Sequence, residues 1–307
     1  MTARSLRAKR EAVDGVLLLD KPPGITSQSA VSRVKHLYNA EKAGHTGTLD
    51  PAATGLLPIA LGEATKFSSA LLDADKTYVA TVRLGITTAT GDLEGEVTAQ
   101  STVETDVDRI EAALAQFRGE ITQVPPMYSA LKHQGKPLYT YARQGKEIER
   151  LPRAVTISEL TLEDYIAPDL VLTVACSKGT YIRVLAEDLG RALGCGAALA
   201  ALRRTRVGRF DVADATGLEA LAAASAPERL QKLLAVDAMI AELPALSLDA
   251  HQSSRVASGQ GVECVESLAV GVVRLLGPGG EFLGIAESTG SGRLQPRRLV
   301  ASKATKG

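Results

Sequence analysis

No uninterrupted apolar run in this 307-residue chain approaches the roughly 20 residues needed to cross a bilayer, so a membrane-spanning helix is not expected. Nor does an apolar segment of signal-peptide type stand behind the basic start MTARSLRAKRE, because GVLLLDKPP breaks after a few residues, and a cytoplasmic location is the expectation. The three cysteines, Cys176, Cys195 and Cys264, form no CxxC pair, and the four histidines, His36, His45, His133 and His251, are equally scattered. Buried reduced thiols and the absence of a metal site are expected from that spacing. The chain also lacks an internal repeat and a glycine-rich dinucleotide fingerprint. Net charge is lacking too: Lys plus Arg is 35 and Asp plus Glu is 35, so overall charge favours no partner.

What is present describes a soluble globular protein, with 45% hydrophobic and 23% charged residues. The length suits one large domain with a smaller one. GVLLLD, GLLPIALG, KTYVATVRLG and DLVLTVACS read as strands. SQSAVSRVKHLYNA, EATKFSSALLDAD, VDRIEAALAQFRG and the segment that ends at Gly194 read as helices. The alanine-rich stretch before Pro244 supplies a helix or two and a linker. From about Ser247 onward short strands and turns are expected, with a hairpin turn over Gly277 to Gly280. The class is α+β with mixed, largely antiparallel pairing, followed by a small β-barrel better suited to binding than to chemistry.

Charge is uneven. Between Leu131 and Arg153 lie Lys132, Lys136, Arg143, Lys146, Arg150 and Arg153 against Glu147 and Glu149, with Tyr128, Tyr139 and Tyr141 in or beside the cluster. RRTRVGR adds Arg203, Arg204, Arg206 and Arg209 with no acid among them. Either cluster can be a solvated face, but cations interleaved with aromatic rings suit an RNA backbone with unstacked bases. Lys132, Lys136, Arg143, Lys146, Arg203 and Arg204 are the expected backbone contacts.

The loop GHTGTLDPAATG places one carboxylate, Asp50, between small loop-formers and a proline. An Asp-Pro pair can simply start a helix, with Asp as N-cap and Pro in the first turn. Here Gly55 follows too soon for a good helix, while Pro51 biases Asp50 toward extended backbone and stiffens the exit. Such a loop can present a carboxylate in one orientation.

The segment AGHTGTLDPAATGLLPIALGEATK resembles the signature of the TruB-type tRNA pseudouridine synthases. DKPPGITS, DADKTYVATVRLG, PPMYSALKHQGKPLYTYARQG and CSKGTYIRVLAEDLGRALGCGA carry the resemblance in the same order from about Gly15 to Arg209, and the tail after Ser247 resembles a PUA-like RNA-binding domain. The resemblance implies a pseudouridine synthase fold over residues 15–243, a PUA-like domain over 244–307 and a basic arm over 1–14. It implies isomerisation of the T-loop uridine of tRNA (position 55) without cofactor or metal; no leftover amphipathic surface demands a partner, so a monomer is expected. On the matching positions Asp50 is the nucleophile and Arg183 its basic partner, expected as a bidentate pair. Tyr78 stacks on the base and is a catalytic residue, matching the tyrosine discussed as the proton-transfer group; Tyr181 and Leu202 line the pocket, His45 meets the everted nucleotides, and Lys21, with Pro22 beside the site, belongs to the substrate-binding set. Three alternatives stay open: an RNA-binding module without chemistry, a guide-RNA-dependent relative, and an N-glycoside hydrolase.

Overall fold

The computed structural model describes residues 10–263, 269–290 and 292–301. Its main sheet has ten strands. The principal strands are β1 (Gly15–Lys21), β2 (Thr54–Leu61), β3 (Lys76–Leu84), β4 (Gly119–Gln123), β5 (Arg153–Ile166), β6 (Asp169–Cys176), β7 (Ala197–Val207) and the short β8 (Thr216–Gly217). They run in the order β8-β1-β2-β7-β3-β6-β5-β4, and Ala43–His45 and Phe210–Asp211 pair at the side of β2 and β7. Pairing is antiparallel except for β8 with β1 and β7 with β2.

The continuous apolar strands are covered on both faces, as such runs require. Leu17 and Leu19 of β1, with Leu57, Ile59 and Leu61 of β2, meet Val31 and Val34 of helix α1 (Ser27–Leu37). Val16 and Leu18, with Leu56 and Ala60, face the opposite side, onto Phe67, Phe210 and Met239. The alternating strand β6 packs one face onto helices α2 (Val107–Ala115) and α3 (Ile182–Ala192), where Leu172 and Val174 join Ile110, Leu114, Leu185 and Leu189. Tyr78 and Leu202 touch both the α1 core and the α2/α3 core, at the seam between them.

One row across the sheet ties four strands together: Lys21 of β1 pairs with Gly55 of β2, Gly55 with Arg204 of β7, and Arg204 with Tyr78 of β3. Gly55 has φ +98°, and a Cβ there would sit 2.2 Å from the Arg204 carbonyl oxygen. Gly55→Ala is therefore expected to cost at least about 3 kcal/mol in urea unfolding, since backbone must separate from backbone. Gly44→Ala, which meets nothing within 4 Å, serves as the neutral control.

The C-terminal sheet has five strands: β9 (Ala245–Ser247), β10 (Val262–Glu263), β11 (Gly271–Leu276), β12 (Phe282–Ser288) and β13 (Arg293–Leu299), in the order β9-β11-β12-β13-β10. Its own core is Leu246, Leu248, Val256, Val273, Leu275 and Ala286. It also packs on the main sheet: the Phe282 ring lies edge-on to Phe67 at 5.2 Å, Ile285 and Val300 join the core around Met239, and Lys66 Nζ donates to the Leu299 carbonyl at 2.9 Å.

Three local expectations need correction. EATKFSSALLDAD forms a 3₁₀ stretch (Gly62–Phe67) and one short α-turn (Ser69–Leu72), because the buried Lys76 ammonium takes the carbonyls of Leu71, Leu72 and Ala74 and ends the helix. The C-terminal region is not strands and turns alone, since α4 (Ala250–Ala257) forms behind an Asp249/Gln252 capping box. Arg203, Arg204 and Arg206 of the arginine run lie on a strand in the middle of the sheet rather than on a free surface segment, and Arg209 sits in the exposed turn after it. Cys176 and Cys195 are free and buried; Cys264 and residues 1–9 of the N-terminal arm lie outside the described residues.

Candidate active site

Asp50 does not cap a helix: the chain makes one turn, Ala53 N–H to the Asp50 carbonyl at 3.1 Å, and enters β2 at Thr54. The loop main chain is tied down on every side. Thr46 N–H donates to the Pro58 carbonyl (3.2 Å), and Arg204 donates to the carbonyls of Gly47 (3.2 Å) and Thr48 (3.4 Å). The Ser27 hydroxyl accepts from Leu49 N–H (2.8 Å) and donates to the Leu49 carbonyl (2.9 Å). The Pro51 carbonyl accepts from Lys21 Nζ (3.2 Å) and Gly24 N–H (2.9 Å). The Asp50 side chain projects from this loop, 48% exposed.

Arg183 comes from the first turn of α3. That turn is anchored by Gln123, which accepts from Tyr181 N–H (3.0 Å) and donates to the Tyr181 carbonyl (3.3 Å). The guanidinium is buried, donates to the carbonyls of Thr90 (3.0 Å) and Tyr128 (2.7 Å), and pairs with Asp50 at 3.3 Å and Asp92 at 3.5 Å. The contact with Asp50 is thus a single nitrogen–oxygen pair, not the expected bidentate one, because the rest of the planar fork is used on carbonyls and on the second carboxylate. Asp92 was not anticipated from sequence; it sits in a turn, where it accepts from the Thr90 hydroxyl (2.5 Å) and Glu94 N–H (3.2 Å).

Tyr78 and Tyr181 are partly buried, and burial raises both phenols above their ordinary pKa, with the Asp50 charge acting in the same direction on each. The positive charge of Arg204, the cross-strand neighbour of Tyr78, opposes the rise there. Leu202 packs beside Tyr78 at the seam of the two cores, and its carbonyl accepts from the Thr54 hydroxyl at 3.5 Å. His45 Nδ1 accepts from Gly47 N–H at 3.3 Å, so the ring proton is on Nε2; burial, then Arg204, lowers its pKa and keeps it neutral.

Lys21 was expected to contact substrate, and the structure corrects this: it is fully buried, with Nζ donating to the carbonyls of Pro22 (2.9 Å), Ile25 (2.8 Å) and Pro51 (3.2 Å). Burial lowers its pKa to about 8, against the pull of Asp50. Arg204 is corrected in the same way. With 1% of its surface exposed it cannot reach a phosphate, and its Nε donates to the Leu56 carbonyl at 2.8 Å. Arg203 is partly exposed, but its guanidinium is bidentate on Asp20 at 3.0 and 2.7 Å.

The other expected RNA cations lie on the excursion between β4 and β5. Lys132, Lys136, Arg143 and Lys146 are exposed there on a small hairpin (Lys132–His133 with Lys136–Pro137) and the short helix Leu138–Ala142, with Arg143 over the Tyr139 ring at 5.4 Å. The base of this excursion supplies the Tyr128 carbonyl to Arg183, so the excursion and the Asp50 carboxylate both meet that guanidinium. Among the described residues no helix is long and apolar enough to cross a membrane, and no group of three His, Cys, Asp or Glu is placed to hold a metal ion. Chemically the site offers an accessible carboxylate, a guanidinium paired with it, and two partly buried phenols.

Comparison with known proteins agrees along the whole chain. Residues 35–182 match the N-terminal domain of the TruB family of pseudouridylate synthases, 183–243 the tRNA pseudouridylate synthase B C-terminal domain, and 244–300 the pseudouridine synthase II TruB C-terminal domain. The chain is 55% identical to tRNA pseudouridine synthase B of Aromatoleum aromaticum, over 99% of this chain and 98% of that one. It is 53% identical to the protein of that name in Burkholderia mallei, over 97% of each. In structure it resembles a chain of a Cbf5-Nop10-Gar1 complex (TM-score 0.72, 26% identity, 94% of this chain and 85% of that one). It also resembles one in an H/ACA RNP bound to a substrate RNA containing 2'-deoxyuridine (TM-score 0.72, 25% identity, 95% and 87%). Identity that extends over nearly the full chain, shared architecture and a carboxylate–guanidinium pair under the family's own motif place this chain in the TruB family of pseudouridine synthases.

Proposed function

We propose that the chain isomerises the T-loop uridine of tRNA (position 55) to pseudouridine, with Asp50 as nucleophile on a nucleotide everted from the RNA fold. The observation that carries this is the Asp50 loop: its main chain is tied down, and its carboxylate is exposed and paired with Arg183. Attack joins Asp50 to the nucleotide and the N1 glycosidic bond breaks; the uracil turns and rejoins through C5, the bond to Asp50 breaks to free the carboxylate, and C5 gives up its proton while N1 gains one. Eversion costs a few kcal/mol, offset by stacking on Tyr78 and by phosphate contacts from Lys132, Lys136, Arg143 and Lys146. Neutral His45 offers an Nε2–H donor to the everted loop. The chain divides near residue 244 into a catalytic domain and a PUA-like domain that grips the RNA, works as a monomer in the cytoplasm, and needs no cofactor.

The relatives named for tRNA are more than twice as identical as the chain from the H/ACA RNP, which favours a stand-alone tRNA enzyme over a guided one. Incubating the purified chain with an unmodified tRNA transcript, without cofactor, tests this. Pseudouridine at the T-loop uridine is expected; RNA binding without product, release of free uracil, or product only with a guide RNA would overturn it.

A pH effect arises from Lys21. Because burial lowers its pKa to about 8, the folded chain carries the cost of the buried charge below pH 8, and that cost is relieved as pH rises from there toward the ordinary lysine value of 10.5. Deprotonation also removes a donor from the three carbonyls and a positive charge from beside Asp50. Activity is therefore expected to fall on an alkaline limb with a midpoint near pH 8, and Lys21→Arg should move that limb upward in a kcat-versus-pH profile.

A further inference from the structure

Arg204 was expected at the RNA and lies instead inside the sheet, which leaves its purpose open. Its guanidinium joins two separate segments and stands beside a third. Nε holds the Leu56 carbonyl of β2 at 2.8 Å, the two terminal nitrogens hold Gly47 and Thr48 of the Asp50 loop at 3.2 and 3.4 Å, and the strand pairing sets Arg204 next to Tyr78 on β3. Thr48 is two residues from Asp50. The strand register explains the reach: Arg204 is the cross-strand partner of both Gly55, at the exit of the loop, and Tyr78, so one side chain on β7 stands between them. Only a planar fork with five N–H donors can serve acceptors in so many directions, whereas an ammonium is a single point. Lys21 completes the grip from the other end of the loop at Pro51.

We infer that Arg204 is a positioning residue for the reaction: it fixes the Asp50 loop and the Tyr78 phenol in one frame, so that the carboxylate and the stacking ring meet the same nucleotide in register. It touches neither substrate nor reacting atoms, and the assignment rests on Asp50 being the group that reacts. A misplacement of about 1 Å in such a frame is enough to slow chemistry by about 10²-fold.

The test compares Arg204→Met and Arg204→Lys with the wild type in single-turnover pseudouridine formation per folded molecule, and in tRNA binding across a salt series. Arg204→Met is expected to lose about 10²-fold in rate, with tRNA Kd within about threefold and an unchanged salt slope. Arg204→Lys, which keeps a cation but cannot span the carbonyls, should recover only part of the rate. If the Met variant does not fold, the Lys variant carries the test. A wild-type rate per folded molecule in either, with only thermal stability reduced, would reduce Arg204 to a structural residue and overturn the inference. Weaker binding with a salt slope smaller by about one and an intact rate would return it to the RNA backbone and also overturn it. Asp50→Asn is run alongside: turnover in that variant would sink the nucleophile reading itself, whereas its inactivity combined with active Arg204 variants would sink only the positioning role.

Discussion

Asp50→Asn is expected to lower pseudouridine formation by roughly 10⁴-fold or more while leaving tRNA affinity within about threefold. Asparagine has nearly the same shape, and the contacts that hold the loop, from Arg204, Ser27, Lys21 and Gly24, all go to main chain or to neighbours of residue 50. What disappears is the negative oxygen facing Arg183 at 3.3 Å and, with it, the only attacking group proposed for the reaction. The loss should therefore fall on the chemical step. Rate in a single-turnover assay and Kd by filter binding separate the two quantities, and near-normal turnover would remove Asp50 from the mechanism.

The second large effect is at Arg183. Arg183→Met takes a cation from between two carboxylates, one exposed and one, Asp92, with only 17% of its side chain exposed. Two carbonyls, of Thr90 and Tyr128, lose their donor in the same step. A rate loss of about 10³-fold and a stability loss of about 3 kcal/mol are expected, the latter mostly from leaving Asp92 without its partner charge. Adding Asp92→Asn to the variant separates the contributions. Stability in urea unfolding should partly return, because the uncompensated charge has gone, whereas the rate should stay low, because Asp50 still lacks its guanidinium. Recovery of rate along with stability would mean that Arg183 serves the fold alone.

The elements legible in the sequence are those whose partners are generic. GVLLLDK and GLLPIAL need only apolar cover, and DLVLTVAC alternates in a way any core can satisfy, so their hydrophobic pattern is sufficient information. The arginine-bearing strand β7 failed that test. Its charges look solvated in sequence because their partners are remote, Asp20 for Arg203 and the Gly47, Thr48 and Leu56 carbonyls for Arg204. Lys21 and Lys76 mislead for the same reason, each burying an ammonium in a ring of carbonyls that no local pattern announces. Helix α4 did carry a local sign, the Asp249/Gln252 capping box, which the surrounding glycine-rich strands obscured. Within the site, Asp50 and Arg183 stand out only through motifs far apart in the chain. Asp92, in the unremarkable turn GDLEG, becomes visible only when the fold brings Thr90 and Arg183 to it.

The edge-on Phe67–Phe282 pair and the Lys66–Leu299 hydrogen bond knit the C-terminal sheet into the same apolar mass that backs β1 and β2. Severing the chain near residue 244 would strip the cover from Phe67 and Met239 and leave a greasy scar on the enzyme. The span between the appended sheet and Asp50 is accordingly a fixed interval, set by interlocked side chains rather than by the reach of a tethered arm.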